Sequence, residues 1–174
     1  MKNLEVLFSL LILITALYTA IDLPETGRNY QTTISEVIDG DTLEVTGEID
    51  TTVRLLGVDS AEIHSATNPE EFNMKDTLEN RECLKKWGIK AKNYTKKKTG
   101  GRNISIHLDQ KAERRGEYGR LLAYIKFDNK TLNRQLIRKG LARVYTSSFT
   151  RLQEYRKLEA YARKRNKGLW SCSN

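Results

Sequence analysis

Apolar and polar positions alternate along several short stretches of this chain. Residues 32–38 and 42–46 are rich in β-branched side chains and alternate, the pattern of half-buried strands. Asp39-Gly40-Asp41 joins them. Gly47-Glu48 marks a turn, and residues 51–58 form a third predicted strand. Residues 104–108 alternate as a fourth strand. Residues 120–127 form a fifth, closed by a turn at Asp128-Asn129-Lys130, and residues 141–145 read as extended. Helical spacing appears over residues 87–98, ended by Gly100-Gly101, and over residues 131–139, ended by Gly140. Thr150 and Gln153 have the spacing of a capping box for a last helix reaching about Asn166. Asp76 and Glu79 share that spacing, so a short helix is expected from Asp76, inside a polar excursion over residues 64–86. Residues 111–119 are a charged loop. Five short strands with a helix after the third predict an α+β fold: a five-stranded OB-fold β-barrel with about three helices.

An apolar segment precedes this pattern. Residues 1–21 carry only Lys2 and Glu5 as charges, and the run from Val6 to Ile21 is broken only by Ser9, Thr15 and Thr19. Such a run reads as a signal peptide or a short membrane anchor. Either reading predicts an exported protein, secreted or anchored to a membrane facing outward. Cleavage after Ala20 would set bulky Tyr18 where a small residue is preferred, so both readings stay open. Residues 22–30, with a proline and a glycine, are the expected linker, and residues 31–174 the folded domain.

Charge narrows the partners. The 174 residues hold 30 Lys and Arg against 22 Asp and Glu, a formal charge of +8 carried by the body of the chain. That surface attracts polyanions, nucleic acid first and anionic membrane second, although a solvated lysine-rich face has the same composition. Cys83 and Cys172 are the two cysteines. In an exported chain an even pair points to one disulfide, with two buried thiols as the alternative. With His64 and His107 they lack the spacing of a zinc site. His107 alternates within a strand and reads as structural.

The chemistry concentrates in three stretches. Asp39 and Asp41 flank one glycine, and like charges so close repel unless a cation neutralises them. Residues 54–62 add Arg54, Asp59 and Glu62, and Tyr118-Gly119-Arg120 comes much later. Asp39, Asp41 and Asp59 are hard oxygen ligands suited to calcium or magnesium. Arg54 and Arg120 offer planar forks for phosphate oxygens, and Glu62 is left over as a base. Together they match the needs of phosphodiester hydrolysis. In an unbroken strand Arg54 and Asp59 would face opposite sides, so convergence requires a break, for which Gly57 is the natural place. Taken singly, Asp39-Gly40-Asp41 is also an ordinary hairpin turn, Arg54 with Asp59 a surface ion pair, and Tyr118-Gly119-Arg120 a loop end.

Val37-Ile38-Asp39-Gly40-Asp41-Thr42, residues 54–62 and residues 118–124 together closely resemble the motifs of the thermonuclease family, the staphylococcal-nuclease-like domains. Residues 133–144 and Gly168-Leu169-Trp170 fit as well, so the resemblance covers residues 32–170. It implies an OB-fold, calcium-dependent nuclease acting on DNA and RNA, with Ca2+ as cofactor. Asp41 and Asp59 are implied as direct ligands with the Ser60 carbonyl, and Asp39 through water. Arg54 and Arg120 are implied to bind the scissile phosphate, and Glu62 to act as base or to orient water. Tyr118 and Tyr145 are the expected substrate contacts. Ser60-Ala61 stands where Thr-Pro is common, and Glu117 where a lysine often occurs. Single-stranded substrate and a monomeric protein are expected. A non-catalytic nucleic-acid-binding OB domain is the alternative.

Overall fold

The computed structural model describes residues 29–65 and 67–172. The apolar segment expected over residues 1–21, and the linker as far as residue 28, lie outside these. Asn29 and Tyr30, expected to close the linker, instead begin the first strand, because they pair with His107 and Ile106. Among the described residues no helix is long and apolar enough to cross a membrane.

In chain order the strands are β1 (Asn29–Val37), β2 (Thr42–Gly47), β3 (Thr51–Leu55), β4 (Val58–Asp59), β5 (Ile104–His107), β6 (Leu121–Phe127), β7 (Lys130–Thr131) and β8 (Arg143–Val144). The helices are α1 (Leu78–Thr99), α2 (Leu132–Lys139) and α3 (Leu152–Lys164). Antiparallel pairs run β3-β2-β1-β5-β6, and a parallel β3–β6 pairing closes the ring. The result is a closed, five-stranded mixed barrel of the OB type, which leaves none of these five strands an open edge. Inward positions of the alternating strands fill it: Leu43, Val45, Val53, Leu55, Ile106, Leu121 and Ile125 are all buried.

The third predicted strand is two strands. β3 stops at Leu55, the chain breaks at Leu56-Gly57, and β4 leaves to pair with β8, with Asp59 opposite Arg143. Gly57 has φ +72°, and a Cβ there would lie 2.3 Å from the Phe149 ring. The break leaves backbone groups without ladder partners, and Asn133 supplies them. This fully buried side chain donates to the carbonyls of Leu56 (3.0 Å) and Ala123 (3.1 Å), and accepts from Ile125 N–H (3.1 Å).

α1 corrects two expectations. The short helix from Asp76 and the helix over residues 87–98 are one element of 22 residues. Its N-cap is Thr77, which accepts from Asn80 N–H at 3.2 Å, while Asp76 pairs with Arg81 instead. Gly88 sits mid-helix, where it costs about 1 kcal/mol relative to alanine. Here it has a packing reason, since a Cβ would meet the Ala61 carbonyl at 2.3 Å. The last helix also starts differently. Arg151 is its N-cap residue, and Thr150 turns to Asp109, giving both its hydroxyl (3.0 Å) and its N–H (3.0 Å) to that carboxylate. Tyr124 donates to the same group at 2.6 Å.

A second apolar cluster holds Phe72, Met74, Leu84, Ala162, Leu169 and Trp170. Beside it Cys83 and Cys172 form a disulfide, with Cα atoms 5.7 Å apart, which ties α1 to the 3-10 turn Gly168–Ser171.

Two stability outcomes follow from these contacts. Asn133→Ala orphans the Ile125 N–H and the Leu56 carbonyl, at about 1–3 kcal/mol each. A urea titration is expected to show a loss of about 2–6 kcal/mol in all; a loss below about 0.5 kcal/mol would mean that other groups repair the strand break. The disulfide closes a loop of 89 residues. Replacing both cysteines by serine is expected to lower stability by up to about 4–5 kcal/mol, read as a drop in Tm. An unchanged Tm would show that loop closure contributes nothing.

Candidate active site

The β2–β3 ladder sets Thr42 opposite Arg54, which brings Asp41 beside the arginine. The Arg54 guanidinium then forks. Nη1 donates to Asp41 Oδ1 at 3.0 Å and Nη2 to Asp59 Oδ1 at 2.6 Å. The break at Gly57 is what turns Asp59 back towards it. Asp41 is buried, and the Ser60 N–H reaches its Oδ2 at 2.7 Å while the Thr42 hydroxyl reaches Oδ1 at 3.1 Å. Burial pushes the Asp41 carboxyl well above its ordinary range; Arg54 opposes this, and Asp39 and Asp59 add to it. Arg54 is held above its usual pKa, as its carboxylate partners outweigh the burial that acts against it.

Asp39 serves the loop itself. Its Oδ1 accepts from the N–H groups of Asp41 (3.0 Å) and Thr42 (2.7 Å). Gly40 is required by contact: a Cβ there would lie 2.7 Å from both Ala91 Cβ and Ser60 Oγ. Its carbonyl accepts from the buried Thr95 hydroxyl at 2.9 Å. α1 thus presses directly on the turn between the two aspartates.

An open cleft of about 540 Å³ lies alongside, and Arg54, Glu62, Tyr118, Arg120 and Tyr145 all line it. Tyr118 is 83% exposed and Tyr145 51%. Tyr118 has φ 62°, a left-handed conformation, and its ring lies 5.5 Å from the Arg120 guanidinium carbon. The Glu62 pKa is raised, first by partial loss of hydration and then by the Asp39 charge, with Arg54 opposing. Asp59, Ser60 and Glu62 line a second hollow with Glu71 and Phe72. Every site residue expected from the sequence therefore falls in one region, except the cysteines, which tie α1 to the end of the chain.

Sequence reasoning missed Arg143. Its Nη2 donates to Asp59 Oδ2 at 2.6 Å and to Glu71 Oε2 at 3.0 Å, and its guanidinium lies 5.3 Å from the Phe72 ring centroid. The polar excursion is thereby tied to the carboxylate centre. Cross-strand pairing of Asp59 with Arg143 is the signal, and it needs the β4–β8 ladder to be known.

Among the described residues, no three His, Cys, Asp or Glu side chains gather as a metal cluster. The centre is a pair of carboxylates, and their four oxygens already accept donors. Each carboxylate oxygen has two acceptor sites, so Asp41 Oδ2 and both Asp59 oxygens keep capacity. A hard dication fits this donor set when water and backbone oxygens complete its shell.

The sequence model of the family described as Staphylococcal nuclease homologue matches residues 52–172. The chain belongs to this family. It is 37% identical over 158 residues to an uncharacterized protein of Methanocaldococcus jannaschii, covering 86% of this chain and 76% of the relative. It is 31% identical over 144 residues to an SPbeta prophage-derived endonuclease of Bacillus subtilis, covering 80% of this chain and 43% of that one. A thermonuclease of Staphylococcus intermedius is 32% identical over 111 residues, covering 63% and 56%. The chain thus spans about half the length of these two nucleases.

Gly40→Ala tests the contact between α1 and the aspartate turn. Overpacking at so close an approach is expected to cost about 1–3 kcal/mol. The Ala91→Gly background removes the clash with Ala91 and leaves those with Ser60. Measured as a double-mutant cycle, the pair is expected to couple by at least about 0.5 kcal/mol; strict additivity would place the strain elsewhere.

Proposed function

We propose that this protein is a metal-dependent nuclease that hydrolyses phosphodiester bonds of DNA and RNA, single strands in preference to duplex. The observation that carries this reading is the convergence of Arg54, Glu62 and Arg120 on one open cleft, next to the buried carboxylates Asp41 and Asp59. Calcium is the proposed ion. A loose set of two carboxylates, the Ser60 carbonyl and waters, with Asp39 acting through water, suits its flexible coordination better than magnesium's strict octahedron. When bound, the ion supplies positive charge to the phosphoryl oxygens.

The chain's own residues do the rest. Arg54 commits two of its donors to Asp41 and Asp59, and a guanidinium has five. The remainder are available to a phosphate that enters the cleft. Arg120 grips the same phosphate from the position just before β6, and its fork holds charge that develops in the transition state. Glu62 takes the proton of the attacking water, and its raised pKa makes it a better acceptor than an ordinary glutamate. Tyr118 and Tyr145 contact the nucleic acid at the cleft. The Cys83–Cys172 disulfide and the apolar residues 1–21 support export, to the outside of the cell or to its outer surface.

Glu62→Gln separates chemistry from binding. Calcium-dependent cleavage of denatured DNA is expected to fall by about 10²–10⁴-fold, with calcium and substrate affinity kept, and a chelator is expected to stop the wild type. Glu62 works as its anion, and its pKa is raised. The wild-type rate is therefore expected to fall as pH drops through a point above the ordinary glutamate value of 4.5. A near-wild-type rate in the variant would remove Glu62 from the mechanism.

A further inference from the structure

We propose that a second surface, separate from the cleft, binds the phosphate backbone of nucleic acid, so that a long strand is held at two places. A hollow of about 440 Å³ is lined by Lys90, Tyr94, Lys139, Leu141, Lys167 and Gly168, and it shares no lining residue with the catalytic cleft. Three elements build it. α1 brings Lys90 and Tyr94. α2 brings Lys139 at its last position. The turn after α3 brings Lys167.

The lysines are held there by a tight backbone crossing. Gly140 and Gly168 both have positive φ, +68° and +61°. A Cβ on Gly140 would lie 2.0 Å from the Lys167 carbonyl, and one on Gly168 2.0 Å from the Gly140 carbonyl. Leu169 N–H donates to that Gly140 carbonyl at 2.8 Å. Lys139 and Lys167, far apart in the chain, are therefore fixed next to each other. Ring contacts continue the surface. Lys139 and Lys98 approach the Tyr94 ring at 5.4 and 5.7 Å. Arg165, Lys167 and Arg138 surround Tyr161 at 4.1, 4.7 and 6.0 Å.

No lysine among the described residues meets a carboxylate within 4.0 Å, so what sets this surface apart is that three elements gather such cations around one hollow. Arg54, Arg81, Arg102, Arg134, Arg143, Arg151 and Arg163 all meet carboxylates. Among the described residues, Lys90, Lys98, Arg138, Lys139, Arg165 and Lys167 meet none within 4.0 Å. Cations gathered without counter-charges repel one another, and a polyanion relieves that repulsion. The large apolar side chains exposed among the described residues, Leu78, Ile89, Tyr118 and Tyr145, do not line it, so it lacks the inserting residues of a membrane-binding face. Tyr94 packs partly against the core and gives its hydroxyl to Gln135, which leaves cations rather than an open ring as the recognising groups. Binding is therefore to phosphates and independent of sequence.

The ligand class rests on the nuclease reading, but the test needs no turnover. The full chain is compared with its Lys90→Gln/Lys139→Gln/Lys167→Gln variant in the presence of a chelator. The probe is a fluorescent oligothymidylate of about 30 nucleotides, beyond the roughly 4–16 that one OB fold covers. The variant is expected to bind about tenfold more weakly, with a log–log salt slope shallower by about 2, at ~0.7 per lost phosphate contact. Calcium-dependent cleavage of a four-nucleotide substrate is expected to be unchanged. The corresponding triple Lys→Arg variant is expected to keep full affinity, which separates lost charge from lost folding. Unchanged 30-mer affinity and salt slope in the glutamine variant would overturn the proposal. So would retained 30-mer binding together with lost sedimentation on phosphatidylglycerol vesicles, which would assign the surface to a membrane. Failure of hydrolysis alone, with the binding differences intact, would sink the nuclease reading and leave the second surface standing.

Discussion

The structure turns on one guanidinium. Two carboxylates close together, both of them buried, repel each other and lose hydration. Arg54 reaches both with a single planar fork, and no lysine could span them with the same two-point geometry. To put Asp59 within its reach the chain must abandon strand alternation just after β3. That departure requires Gly57, and it exposes backbone groups that Asn133 then satisfies from α2. The carboxylate centre, the strand break and the buried asparagine are thus one solution to one electrostatic problem.

The centre is also coupled to the helical layer. α1 lies so close to the barrel that Gly40 and Gly88 have no room for a Cβ. The helix gives the buried Thr95 hydroxyl to the aspartate turn, and its other end is tied by disulfide to the chain terminus. Arg143 extends the same coupling through β8 to the 3-10 turn Pro69–Phe72, where Glu71 shares it with Asp59. A rigid frame of this kind keeps carboxylates and arginines in place before any substrate arrives, which is the condition for electrostatic stabilisation of a transition state.

Much of this was legible in the sequence. Alternation located the strands, because side chains on a strand must point to opposite faces whatever the tertiary context. The parity of Arg54 and Asp59 required a break, and the glycine between them located it. The residues that gather at the site were also named from the sequence, because Asp39, Asp41, Arg54, Asp59 and Glu62 lie within 24 positions of one another. Local rules failed where another side chain competed for the capping group. Thr150 has cap spacing, yet Asp109 takes both its donors. Asp76 has cap spacing too, but Arg81 takes it and Thr77 caps the helix. Gly88 weakened the helical signal mid-element, and only the Ala61 carbonyl packed against it explains its presence.

The sequence by itself determined the periodicities, the turn residues and the kinds of chemical group available, since each depends on neighbours within a few positions. The tertiary structure alone decided the partners. Arg143 meets Asp59 because β8 pairs with β4, Lys139 and Lys167 share one hollow because two glycines cross, and Asn133 bridges a break in another element. Each of these contacts joins residues whose separation along the chain carries no information about their distance in space. That distance is fixed by barrel closure and by helix packing, which are properties of the whole fold.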